Sequence, residues 1–175
     1  MITAAQLREA MPYAAEPRIA LFLQPLNDTF IEFGITTELR QAVFLAQITV
    51  ESGSLRYVRE IASGDAYEGR LDLGNSQPGD GRRFPGRGLG QVTGRANYGA
   101  CGIALGVDLV AQPELLEQPE YAARSAGWYW QSRKLNAAAD ARKFWAACKL
   151  WNGGTNGLDD RINAYIDARR ALGVI

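Results

Sequence analysis

Apolar residues recur at helical spacing over much of the chain, and one long interval lacks the pattern. Residues 3–11 read as a short helix starting from the Thr3 cap, and residues 17–33 as a second that Pro25 bends or splits. Thr36 or Thr37 then caps a stronger helix, with Glu38 in the first turn, where the helix dipole favours negative charge. Leu39, Ala42, Val43, Ala46 and Val50 define its core face. From Gly64 to Gly94 the periodicity stops. Nine glycines, Pro78 and Pro85 predict turns and a short hairpin there, and Tyr67 and Phe84 favour an ordered, functional loop. Helical spacing returns over residues 96–105, ending near Gly106, and over 119–134, 140–150 and 158–172. The expected architecture is mainly α, a single domain over residues 1–175. Its core runs from 34 to 175, residues 1–33 are helices packed on that core, and the glycine-rich, partly β segment lines a cleft.

Composition narrows the function. Hydrophobic residues make up 47% and charged residues 22%, as in a globular chain with a real core. Nineteen basic and nineteen acidic residues cancel, so the basic stripe of a nucleic-acid binder is missing. There is no histidine, which excludes Ser-His and Cys-His nucleophile pairs and histidine-ligated zinc hydrolases. Cys101 and Cys148 lack metal spacing and read as buried free thiols, so no metal or cofactor is expected. Glu9, Pro12, Glu16 and Pro17 interrupt the amino-terminal region, which reads as neither a secretory signal nor a membrane span. The expectation is a monomer made in a cytoplasm, without stable membrane insertion.

Two glutamates in "AQITVESGSLRYVREIASG" raise the question of an acid and a base. Glu51 stacks over Gln47 and borders the Phe44 side of the apolar stripe. Partial burial there would favour a protonated carboxyl, as a general acid needs. Glu60 has Arg56 and Arg59 close in sequence, and positive neighbours favour an ionised carboxylate able to activate water. Spacing alone leaves two solvated surface glutamates as an open alternative.

Three further blocks bear on the choice. "VESGSLRYVREIASGDAYEGRLDLGN", "GDGRRFPGRGLGQVTGRANY" and "LWNGGTNGLDDRINAY" together resemble the family 19 glycoside hydrolases, the chitinases and the related endolysins of phages infecting Gram-negative bacteria. The resemblance runs from about Ile35 to the carboxyl terminus and implies a lysozyme-like α+β fold. It implies the general acid at Glu51, just after its helix, and the water-activating base of the endolysin branch at Glu60. Thr93 takes the place of a residue that helps hold the attacking water. Gln91, Asn97 and Asn152 match residues lining the sugar cleft, and Arg161 an arginine near the catalytic carboxylates. The family usually carries histidine immediately before the acid; here it is Val50.

The implied activity is inverting hydrolysis of β-1,4 bonds in peptidoglycan, causing lysis of the cell wall after holin-type release. Chitin or chitosan on the same scaffold is the first alternative, and a non-catalytic glycan-binding domain the second. Should Glu60 not serve as base, Glu68 is the next candidate. "GRGLGQVTG" follows no apolar strand and lacks the Lys-Ser/Thr ending of a phosphate loop. Trp128, Tyr129 and Trp130 read as core rather than a sugar platform. Arg82, Arg83, Arg87 and Arg95 make the glycine-rich segment locally basic, either as a solvated loop or as an attractor for anionic stem peptides.

Overall fold

The computed structural model describes residues 1–154 and 156–174, with helices α1 Ala4–Ala10, α2 Glu16–Glu32, α3 Glu38–Ser52, α4 Asp80–Arg83 and α5 Arg95–Leu105. Helices α6 Pro119–Ser132, α7 Leu135–Asp140, α8 Phe144–Asn152 and α9 Leu158–Leu172 complete the set. The mainly helical, lysozyme-like reading is met.

Local chemistry accounts for the boundaries. Thr3 and Gln6 form a reciprocal cap on α1, and the Thr37 hydroxyl accepts from the Arg40 amide at the start of α3. Gly53, in the left-handed conformation, ends α3. Helix α2 differs from expectation: it runs unbroken through Pro25. The proline removes one intrahelical donor, and the residue whose carbonyl loses it, Leu21, is exposed.

Helix α3 is the centre of the molecule. Its expected stripe proves too narrow, because every residue from Gln41 to Ile48 is buried, while Leu39 and Val50 are only half-buried. Helices α1, α7, α8 and α9 pack around it. Phe44 lies edge-on to Phe30, Trp130 and Trp151, with ring centroids 5.6, 5.5 and 6.3 Å away. Burying one such ring contributes about 1.5–3 kcal/mol. Residues of α1 and α2, among them Leu7, Phe22 and Phe30, join the same core. Helix α2 meets α6 closely at Gly127, where a Cβ would lie 2.3 Å from the Phe33 ring. Trp130 is fully buried and Trp128 and Tyr129 half-buried, in keeping with a packing role.

Between α3 and α5 the expected hairpin is replaced by two 3-10 turns, Asp65–Tyr67 and Leu71–Leu73, and by α4. Only isolated bridges occur there, Arg59 to Arg87 and Arg87 to Val92. Side chains order the segment. Glu68 accepts from the Gly79 and Gly81 amides at 2.7 and 2.8 Å. Buried Asn75 donates to the Tyr67 carbonyl and accepts from the Arg95 amide, each at 2.8 Å. Asp80, 1% exposed, pairs with Arg95 at 2.5 Å. Further on, the expected helix over residues 140–150 begins four positions later, at Phe144, because the left-handed Arg142 separates it from the unanticipated α7.

Candidate active site

Glu51 sits in the last turn of α3 rather than beyond it, with its side chain 20% exposed. Its Oε1 accepts from Arg161 Nη2 at 2.5 Å and from the Trp151 indole at 3.1 Å. Among the described residues nothing donates to Oε2. Arg161 is buried, and its Nη1 donates to Gln47 Oε1 at 2.8 Å, one turn below Glu51. Trp151 is steadied by the Tyr129 hydroxyl, which donates to its carbonyl at 2.8 Å. The expected apolar border is therefore present as Trp151, but Glu51 is also ion-paired.

Glu60 has another kind of setting. The Arg56 and Arg59 environment read from the sequence is not found. Arg56 lies over the Tyr57 ring, and Arg59 pairs with Glu117 at 3.6 Å. Instead Glu60 Oε1 accepts from the Gly86 amide at 2.8 Å and Oε2 from the Tyr67 hydroxyl at 2.9 Å. The Glu60 amide in turn donates to the Gly86 carbonyl at 2.9 Å. Burial, and after it the bond to Glu60, pushes the Tyr67 hydroxyl pKa up, which keeps that donor protonated.

Gly86 is the point on which this half converges. A Cβ there would lie 2.7 Å from Gln91 Oε1, 3.3 Å from Thr93 Oγ1 and 3.5 Å from the Glu60 carboxyl carbon. Gln91 holds a left-handed backbone, and its Nε2 donates to the Gly88 carbonyl at 3.1 Å. The Thr93 hydroxyl donates to the Gln91 carbonyl at 3.1 Å, and Asn97 donates to the Thr93 carbonyl at 2.8 Å. Glu60, Gln91, Thr93 and Asn97 thus form one group and Glu51 with Arg161 another. Asn152 follows Trp151 in the second group, donating to the Asn156 carbonyl at 3.0 Å. The two groups share no hydrogen bond.

The chain joins them through Gly53, Ser54 and Leu55, three successive residues with φ of 56, 60 and 65°. Ser52 Oγ accepts from the Leu55 amide at 2.8 Å, and Arg18 donates to the Leu55 carbonyl at 2.7 Å. Those bonds hold a backbone conformation that costs non-glycine residues about 1–2 kcal/mol each. Val50 lines an open groove of about 550 Å³ between α1, α3 and α9.

Other candidates have structural employment. Both Glu68 oxygens clamp backbone amides. Arg82 pairs with Asp65, Arg87 with Glu117, and Arg95 with Asp80, while Arg83 donates to the Val110 and Ala111 carbonyls. The basic segment read from the sequence is largely neutralised, by Asp65 and Asp80 of the same glycine-rich stretch and by Glu117 beyond it. Cys101 and Cys148 are buried free thiols, and burial pushes Cys101 from 9.0 up to about 12. Among the described residues no group of His, Cys, Asp or Glu could hold a metal ion, and no helix is long and apolar enough to cross a membrane. Sequence reading did not assign Tyr67 and Trp151, which hold the two glutamates; both lie inside the quoted blocks, but only long-range contacts reveal what they touch.

Residues 42–147 match the family described as chitinase class I, family 19 of the glycoside hydrolases. A Haemophilus influenzae protein described as containing a glycosyl hydrolase family 19 domain is 27% identical over 94% of each chain. An Arabidopsis thaliana endochitinase is 34% identical over 84% of this chain, which spans 53% of that plant protein. The solved structure of chitinase C from Streptomyces griseus superposes with a TM-score of 0.79 at 28% identity, covering 98% of this chain and 76% of that one.

Proposed function

The chain belongs to the chitinase class I family of glycoside hydrolases, and from that premise we propose that it cleaves β-1,4 bonds of the peptidoglycan glycan strand as a lytic enzyme of the endolysin type. The observation that carries the proposed chemistry is the unequal setting of the two glutamates. Glu51 has one oxygen tied to Arg161 and Trp151, and the other takes no donor among the described residues. Glu60 has both oxygens oriented by neutral donors, beside Thr93.

In this reading Glu51 is the general acid, acting through Oε2, the oxygen that Arg161 and Trp151 do not engage. Glu60 is the general base. Water held between Glu60 and Thr93 attacks the anomeric carbon and loses a proton to Glu60. The glycosidic C–O bond breaks as the leaving oxygen takes the proton of Glu51, and the anomeric centre inverts without a covalent enzyme intermediate. Arg161 fixes the acid. Gln91, Asn97 and Asn152 carry amides that can both donate to and accept from sugar hydroxyls and acetamides.

Peptidoglycan is favoured by the endolysin-like blocks, including the close spacing of Glu60 to Glu51, and by free rather than paired cysteines. The chitinase names of the relatives favour chitin as the second reading. Outer-membrane-permeabilised Gram-negative cells and colloidal chitin, digested in parallel, separate the two. Clearing of the cells is expected, with mass spectrometry of borohydride-reduced fragments identifying the new terminal sugar. Good chitin turnover with no clearing would reverse the choice of substrate.

A further inference from the structure

The solvent side of α8 is largely apolar. Ala147, Cys148 and Trp151 face the core, so helical spacing puts Trp145, Ala146, Lys149 and Leu150 on the opposite arc. Trp145 is 58% exposed and Leu150 43%. Three other exposed apolar side chains sit beside carboxylates. Tyr13 shares its groove with Asp160 and Asp167, Ile103 shares a shallow one with Asp108, and Leu71 lies between the paired Arg70 and Asp72.

Along the chain around α8 the charge is nearly of one sign. From residue 131 to residue 158 the only acid is Asp140, and Arg40 pairs with it at 2.5 Å. Lys134, Lys143 and Lys149 are exposed and make no ion pair among the described residues. Helices α7 and α8 pack against each other, on a chain of zero net charge. Indole rings settle at the boundary between headgroups and acyl chains, where the ring is apolar and its N–H stays wet. Each lysine near an anionic leaflet adds about fivefold in affinity.

We infer that the α7–α8 surface docks reversibly on the anionic phospholipid headgroups of a bilayer, with Trp145 and Leu150 entering the interface while Lys143 and Lys149 meet phosphates. At nine residues α8 is too short to span and lies in the plane of the surface. Docking of this kind weakens with salt.

Flotation of the full chain with phosphatidylglycerol–phosphatidylethanolamine vesicles tests the proposal, with phosphatidylcholine vesicles as reference. The expected result is binding to the anionic vesicles, released by salt. Trp145→Ala should lower it about tenfold, and the Lys143→Glu/Lys149→Glu double variant at least as far. Cleavage of soluble oligosaccharides and the melting temperature, unchanged in these exposed-site variants, separate lost docking from lost folding. No flotation, equal flotation with phosphatidylcholine, or full binding by both variants overturns the proposal. So does loss of retention on insoluble glycan without any change toward lipid, which would make the surface a glycan contact.

Discussion

Glu51 closes a helix that is buried on all sides over two turns, whereas Glu60 stands in a segment with almost no regular structure. The first is positioned by packing: α3 is fixed by the helices around it, and Arg161 and Trp151 arrive from α9 and α8. The second is positioned by hydrogen bonds from Gly86 and Tyr67 within a glycine-rich loop. One carboxylate is thus tied to the stability of the core, and the other can be altered with little cost to the fold.

Glu51→Gln gives the largest effect in that comparison. Removing the titratable acid should cut glycan cleavage by about 10²–10⁴-fold, and Glu60→Gln by a similar factor. Either variant cleaving at the wild-type rate in a reducing-end assay would remove that residue from its proposed role.

Next in size is the contrast between the supporting residues. Arg161→Leu leaves the Gln47 oxygen without its donor and Glu51 with the Trp151 indole alone, in a largely dry site. The expected loss is about 2–4 kcal/mol in urea unfolding, moderated because Glu51 keeps some contact with water. Tyr67→Phe should cost under about 1 kcal/mol, since Glu60 retains the Gly86 amide and water can replace the phenol. Its cleavage rate should nonetheless fall about tenfold from poorer orientation of the base. Equal unfolding midpoints for the two variants would erase the distinction drawn between the two settings.

A further effect concerns acid. The Arg95 guanidinium holds the buried Asp80 carboxyl below its usual 3.8. A depressed carboxylate stabilises the fold above its unfolded pKa, and that contribution is lost as pH falls through the folded value. Asp80→Asn should therefore be less stable than wild type at neutral pH. The gap should close below about pH 4. A gap independent of pH would assign the effect to packing.

How much of this could be read from the chain followed the range of the interactions. Thr3, Thr37 and Gly106 mark helix ends through bonds made within a few residues; Thr3 and Gly106 were legible, and Thr37 to within one position, since Thr36 was the alternative. The all-round burial of α3 was not, because an apolar stripe reports one face and Gln41 and Gln47 masked the other. Helix α7, short and alanine-rich, carries no strong periodicity. Glu60 was misread for a different reason: its sequence neighbours Arg56 and Arg59 turn to other partners, while Gly86 comes from far along the chain. Arg161 entered through resemblance, whereas the link from Trp151 to Glu51 spans a hundred positions and leaves no local trace.

The left-handed run at Gly53, Ser54 and Leu55 has a consequence for any redesign of this scaffold. It works as a gauge block between helix and loop: inserting or deleting a residue there would swing one carboxylate relative to the other, whatever became of either surrounding. Variation in reach toward longer or bulkier polymers is therefore more easily accommodated downstream, in the turns after Glu60, than in the joint itself.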